Sequence, residues 1–224
     1  MSAPVPANEG KRLKVLWQYE VLDTVPEEVF DQLTELAAHI CEAPIALISL
    51  VDESRQWFKS RFGTSVTETS RDVSFCAYAI QQTDIFIVPD ATKDERFARN
   101  PLVVSEPKIR FYAGAPLITA DGQALGTLCV IDKVPRTLKT HQKQALMLLA
   151  RHVVTQLELR RRSLKMPSVR KKAEQLEEKL RLANAELAAA KGPQNGGKRK
   201  LGEGKMTKPI KKIQLPRSRS SKKG

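Results

Sequence analysis

Cysteine has the most chemistry to offer in this sequence, because a thiol near a helix N-terminus gives up its proton more readily and becomes a nucleophile. Cys76 has that setting: in Ser74-Phe75-Cys76-Ala77-Tyr78 the serine can cap a short helix running through Ile80. Cys41 falls at the end of an apolar helical face and Cys129 alternates with Leu128 and Val130, so both read as small packed hydrophobes. His39, His141 and His152 stand apart from any Ser or Cys motif, and three widely spaced cysteines make neither a zinc knuckle nor a disulfide framework. A second group of side chains suits binding rather than catalysis. Arg71, Asp72, Ser74, Asp90, Arg96 and Arg110 offer charge and hydrogen bonds, with Trp57, Phe75, Tyr78, Phe97 and Tyr112 as apolar walls. The same arginines and aspartates serve equally well to pair with one another and with loop backbone. Asp121-Gly122 and Gly126-Thr127 are turn glycines rather than a phosphate cradle, since neither opens a helix after a strand.

The elements that must position these groups are written in the hydrophobic pattern. Thr24 and Glu27 have capping-box spacing, and Phe30, Leu33, Leu36, Ala37 and Ile40 recur at helical intervals, which predicts a helix ending near Cys41. Ile45 to Val51 predicts a buried strand with Gln56 to Arg61 as its hairpin partner, and Ile85 to Val88 predicts another strand. Asp94 to Asn100 reads as a helical turn before Pro101. Phe111 to Thr119 and Ala124 to Ile131 flank Ala120-Asp121-Gly122-Gln123, a strong hairpin signal. Thr140 can cap a long helix whose Leu146, Ala150, Val153, Leu157 and Leu164 have core-facing or coiled-coil spacing. Pro167 is expected to break that helix, because Val169, Ala173, Leu176, Leu180, Ala183 and Leu187 continue in a register shifted by two residues.

The chain has 224 residues and a net charge of +13, yet the charge is unevenly spread. Residues 1–159 carry 17 basic and 20 acidic side chains, residues 160–190 carry 9 and 4, and residues 191–224 carry 12 and 1. The slightly acidic body argues against a folded nucleic-acid reader, which displays its basic residues as a patch on the fold. Lys198, Arg199, Lys200, Lys211, Lys212, Arg217 and Arg219 lie in a tail too poor in large apolar residues to fold, so disorder is expected there. That tail is expected to make weak contacts with nucleic acid or an anionic membrane through charge alone. The sequence has neither a secretory leader nor an apolar run of spanning length, which predicts a cytoplasmic protein.

These strings together resemble a GAF domain. The resemblance is carried by Leu22-Asp23-Thr24, Pro26-Glu27-Glu28, Phe30-Asp31, Pro44 through Asp52, Arg55 through Ser60, Ser74-Phe75-Cys76-Ala77, and Phe86 through Ala91. It continues through Arg96-Phe97, Asn100 through Val103, Ile109 through Leu117, and Gly126 through Asp132. It implies an α+β sandwich: a central antiparallel sheet of five or six strands with helices on both faces, then a long C-terminal helix or short coiled coil and a disordered basic tail. The corresponding divisions are residues 1–21 as a helical lead-in, 22–160 as the domain, 161–190 as a broken coiled-coil helix and 191–224 as the tail. The subgroup it looks like precedes histidine kinase or diguanylate cyclase modules in bacterial sensors; no such output module follows residue 160. Ala77 after Cys76 departs from the bilin-attaching pattern, and the cyclic-nucleotide signature of other members is not matched.

The resemblance therefore implies a non-catalytic sensory domain that binds a small ligand or a protein partner. It would signal through a homodimer seamed by Leu146, Val153, Leu157 and Leu164. The ligand pocket is expected among Trp57, Arg71, Ser74, Phe75, Cys76, Tyr78, Asp90, Phe97, Arg110 and Tyr112, with no metal and no named cofactor. Two alternatives stand beside it: a thiol-dependent enzyme like the free methionine sulfoxide reductases, which are also GAF domains, working through Cys76, and a scaffold whose basic tail binds nucleic acid or membrane.

Overall fold

The computed structural model describes residues 3–190. The tail lysines and arginines from Lys198 to Arg219 lie outside the described residues, as does the expectation that residues 191–224 are disordered. Two helices open the chain, α1 (Glu9–Gln18) and α2 (Glu28–Cys41), followed by the hairpin β1 (Ile45–Val51) and β2 (Arg55–Phe62) and the short β3 (Glu68–Ser70). A 3-10 turn (Arg71–Val73) and α3 (Cys76–Ala79) lead to β4 (Phe86–Val88) and α4 (Pro101–Val104). The hairpin β5 (Phe111–Ile118) and β6 (Ala124–Asp132) precedes the long α5 (Thr140–Ala190). The six strands form one antiparallel sheet in the order β3-β2-β1-β6-β5-β4. The β5–β6 turn forms as its sequence predicts: Gly122 takes φ of 77°, which a side chain resists, and the Thr119 hydroxyl accepts the Gln123 N–H.

Side chains alternate across a strand, so the sheet sorts its residues into two cores. On one face Ala46, Ile48, Leu50, Trp57, Phe111, Ala113, Ala115, Leu128 and Val130 pack against Leu16 of α1, Tyr19 just past its end, and Phe30 and Ala37 of α2. Leu146, Ala150, Val153 and Leu157 of α5 join the same core. On the other face Leu47, Val51, Phe58, Tyr112, Cys129 and Ile131 meet Phe75, Cys76, Phe97 and Val103 from the short helices and loops. Each fully buried large apolar side chain contributes about 1.5–3 kcal/mol. The helical layer therefore carries much of the stability, and the opposite layer is built from loops.

Charge ties the layers together. Buried Lys59 of β2 donates to Glu27 at 2.6 Å, Thr24 at 2.9 Å and the Val25 carbonyl at 2.8 Å, and Arg160 of α5 donates to the same Glu27 at 2.8 Å. Arg160 also reaches the carbonyls of Tyr19 and Glu20, and the Tyr19 hydroxyl donates to Glu158. Glu9 of α1 bridges Arg12 and Arg71, both buried, at 2.6 Å each.

Four expectations are corrected. Thr24 is not the cap of α2, whose flanking residue is Glu27; its hydroxyl instead donates to the Val21 carbonyl and receives Lys59. Thr140 lies inside α5, and the backbone N–H of Lys139 is capped by Gln142, the return half of a capping box. Pro167 sits within α5 without ending it. Residues 162–167 are all exposed, so water can serve the carbonyl that the missing proline N–H leaves unpaired. Finally, Leu146, Val153 and Leu157 are buried in their own domain and cannot seam a dimer, whereas Leu164 is exposed. α5 is thus one continuous helix rather than two helices separated by a break.

By compactness the chain divides at Glu174, into residues 1–174 and residues 175–224. In the second unit the described helical residues leave Leu176, Leu180 and Leu182 exposed. No described helix is long and apolar enough to cross a membrane.

Candidate functional site

A cavity of about 290 Å³ opens on the face of the sheet opposite α1, α2 and α5. Its floor is the sheet itself: Ile45 and Leu47 of β1, Gln56 and Phe58 of β2, Thr69 of β3, Tyr112 of β5 and Ile131 of β6. Phe75 and Cys76 close one side, and Leu102, Pro107 and Ile109 the other, with Thr64, Val66 and Glu106 completing the lining. The lining is mostly apolar, with a few convergent polar groups, the make-up of a small-molecule site. Short elements hold these walls. Asn100 caps α4 by accepting the Leu102 N–H at 2.9 Å, with Pro101 at the first helical position, and the Ser74 hydroxyl accepts the Ala77 N–H at 3.1 Å to start α3.

Three of the ten expected pocket residues line this cavity: Phe75, Cys76 and Tyr112. Ser74 stands one step behind, donating at 2.6 Å to Gln56, whose amide in turn donates to Thr69 at 2.5 Å. Phe97 backs the wall, stacked on Phe75 with ring centroids 3.9 Å apart, and Tyr78 meets Phe97 edge-on at 4.8 Å. The Arg96 guanidinium lies over the Phe86 ring at 4.8 Å. The other four serve structure. Trp57 points into the helical core, because it neighbours Phe58 on the strand and so has the opposite parity. Arg71 is held by Glu9 and the Asp52 carbonyl, Asp90 accepts the N–H and hydroxyl of Thr92 in its own turn, and Arg110 donates to the carbonyls of Val103 and Ile109.

Gln56, Phe58, Leu47, Ile109 and Ile131 are lining residues that reading by chemical type passes over. The strand alternation that places Leu47, Phe58 and Ile131 on one face is the signal that finds them.

At the floor the electrostatics converge on one sulfur. Tyr112 Oη donates to Cys76 Sγ at 3.3 Å and Thr127 Oγ1 at 3.2 Å. Burial raises the Cys76 thiol, but hydrogen bonds from Cys129, Thr127, Tyr112 and Ser49 outweigh it and bring the thiol below its ordinary range. Cys129 is pushed well up by its bond to Cys76 and by burial, and Tyr112 by burial and the two neighbouring cysteines. Cys41, in the other core, is raised by burial to about 11. Among the described residues, no three His, Cys, Asp or Glu side chains gather closely enough to hold a metal ion.

Comparison with known proteins gives the arrangement its context. The family model for the GAF domain matches residues 25–157. A cyclic di-GMP phosphodiesterase of Pseudomonas aeruginosa is 49% identical over 133 residues, which is 59% of this chain and 23% of that protein. The chain thus spans under a quarter of that relative's length. Among solved structures, the GAF domain of an Acinetobacter phosphoenolpyruvate-protein phosphotransferase aligns with a TM-score of 0.51 at 20% identity, covering 69% of this chain and 95% of that one. A domain of a two-component sensor histidine kinase protein from Sinorhizobium meliloti 1021 aligns with a TM-score of 0.51 at 18% identity, covering 63% and 97%. Those two likenesses show the fold, and the match across residues 25–157, over a sheet that carries a cavity on one face and terminal helices on the other, shows the family: this chain belongs to the GAF domains, a family of sensory modules that are generally non-catalytic.

Proposed function

We propose that this protein is a cytoplasmic sensory module that takes a small, largely apolar molecule into the cavity above the sheet and reports its presence through α5 in a homodimer. The observation that carries the reading is the cavity itself, about 290 Å³ with apolar walls and only Gln56, Thr64, Thr69, Cys76, Glu106 and the Tyr112 hydroxyl to orient a polar end. A ligand shifts the protein only by binding one packing better than another, and the loop-built roof is the part that can repack. β2 connects the cavity floor to the rod: Phe58 touches the cavity, and its neighbour Lys59 grips Glu27, which Arg160 of α5 also grips.

The buried stripe of α5 is occupied, so the dimer contact falls to the outward stripe, where Leu148, Leu159 and Met166 are exposed. Leu176 and Leu180 further along the helix fall in the same heptad register, whose intervening positions include His152, Thr155 and Arg162. The basic tail, with 12 basic residues against 1 acidic, supports weak capture of polyanions as an accessory role.

The test uses 2-phenyl-2-propanol as an apolar probe with one hydroxyl. Its NMR titration into the full chain is expected to shift amides lining the cavity, and Val66→Trp, at the exposed rim, should weaken binding on the order of tenfold without unfolding the protein. Shifts scattered over the surface, or none, would reject the ligand-binding reading.

A further inference from the structure

Simple binding leaves the cluster at the cavity floor unused. A neutral thiol is a weak acceptor, yet Cys76 Sγ receives Tyr112 Oη at 3.3 Å and Thr127 Oγ1 at 3.2 Å, and the Cys129 thiol lies beside it. Two hydroxyls donating to one sulfur, from neighbouring strands β5 and β6, favour its thiolate. The backbone makes room for them. Tyr112 lies back across Gly114 on the same face of β5, and a Cβ on Gly114 would stand 2.2 Å from the phenol oxygen. Any side chain at that position would push the phenol away from Cys76. Cys76 is also one of the residues that line the cavity, which sets the thiol beside whatever the cavity holds. Cys129 is on the cavity face of β6, whereas Cys41 packs in the helical core on the far side of the sheet.

We propose that Cys76 is an oxidation-sensing thiol that reacts with small apolar hydroperoxides admitted by the cavity, with Cys129 as the thiol that resolves the product. The proposal rests on the cavity reading above. In the first step the Cys76 thiolate attacks the terminal oxygen of the hydroperoxide; the S–O bond forms, the O–O bond breaks, and the alkoxide leaves and takes up a proton as the alcohol. Sulfur is oxidised by two electrons to the sulfenic acid, and the peroxide oxygens are reduced. In the second, Cys129 attacks that sulfur; the S–S bond forms, the S–O bond breaks, and hydroxide leaves with the Cys129 proton as water. Two thiols and one hydroperoxide give one disulfide, one alcohol and one water. The walls select the oxidant: an apolar hydroperoxide gains from burial there, and a charged one does not.

The experiment treats the full chain with cumene hydroperoxide and maps cysteines by mass spectrometry. Wild type is expected to lose two hydrogens and yield a peptide linked through Cys76 and Cys129. Cys129→Ser is expected to gain one oxygen at Cys76, trapped by dimedone, and Cys76→Ser to leave Cys129 unmodified. Cys76 should react on the order of tenfold faster than Cys41. Gly114→Ala and Thr127→Val, each removing a donor, should move the pH midpoint of Cys76 alkylation upward, a shift that a merely packed cysteine would not give. Equal rates at Cys76 and Cys41, or no oxygen gained by Cys129→Ser, would overturn the proposal; a persistent sulfenic acid in wild type would overturn the part given to Cys129. If wild type binds 2-phenyl-2-propanol while its Cys76 thiol survives the hydroperoxide, the thiol chemistry fails and the cavity reading stands. Failure of wild type to bind that alcohol overturns both.

Discussion

Glu9 holds two buried arginines at once, so the N-terminal helix is fastened to the 3-10 turn at Arg71 by one carboxylate. Burial would raise that carboxyl, but hydrogen bonds and charge from Arg12 and Arg71 prevail and hold it at about 2 against an ordinary 4.5. A carboxyl depressed in the folded state adds stability that is complete above its unfolded value and is lost as pH falls through the folded one. The contribution, about 2 kcal/mol once solvent screening at the carboxyl is allowed for, should therefore disappear between 4.5 and about 2. Urea melts across that window are expected to show the loss in wild type and a smaller acid dependence in Glu9→Gln. A slope unchanged by the substitution would show that the carboxylate does not fasten the helix. Arg71 had drawn attention as a ligand contact because arginine suits that role, and its actual partner is sixty-two residues away in sequence. Long-range pairing of that kind leaves no local signal.

At the scale of elements, periodicity carried most of the information. β1 begins and ends where the apolar run does, and β2, β5 and β6 agree with their predicted spans to within a residue or so. Boundaries set by side-chain capping leave a weaker signal: Thr24 and Thr140 have the right chemistry, but α2 begins after Glu27 with no side-chain cap, and at α5 Gln142 serves the Lys139 N–H. In α5 the inward and outward stripes share one spacing, and only the burial of Leu157, 1% exposed, against Leu159, 52% exposed, tells them apart. The two leucines therefore respond differently to the same change. Leu157→Asp buries an unpaired charge and should cost on the order of 4 kcal/mol, lowering the melting temperature sharply. Leu159→Asp and Met166→Asp should leave the fold intact and reduce the mass found by light scattering from dimer to monomer. A monomeric wild type, or a dimer indifferent to both outward substitutions, would remove the proposed seam.

For the whole molecule, the sheet is the only layer between the cavity and the helices, and Glu27 is where β2 and α5 meet through charge. Glu27→Ala leaves Lys59 buried with only Thr24 and the Val25 carbonyl for partners, a loss of about 2–3 kcal/mol. Its effect on signalling is expected to be more specific: 2-phenyl-2-propanol should still bind, while the amide shifts it induces along α5 vanish. Shifts in α5 that persist in the variant would mean that another contact carries the response. The layered plan was legible from the sequence because alternation and helical spacing are dictated by burial. The cavity's membership was less so, because a wall residue such as Phe58 or Ile131 looks like any other core residue until the loops above it are placed.

The pleat that sends Phe58 one way and Lys59 the other has a bearing on how a receptor of the proposed kind can change over generations. Adjacent codons govern separate tasks, so a lineage can exchange Leu47, Phe58 or Ile131 and acquire a taste for a new compound without touching Ile48, Trp57 or Val130, on which the helices rest. Recognition is free to wander while the reporting machinery is inherited unaltered.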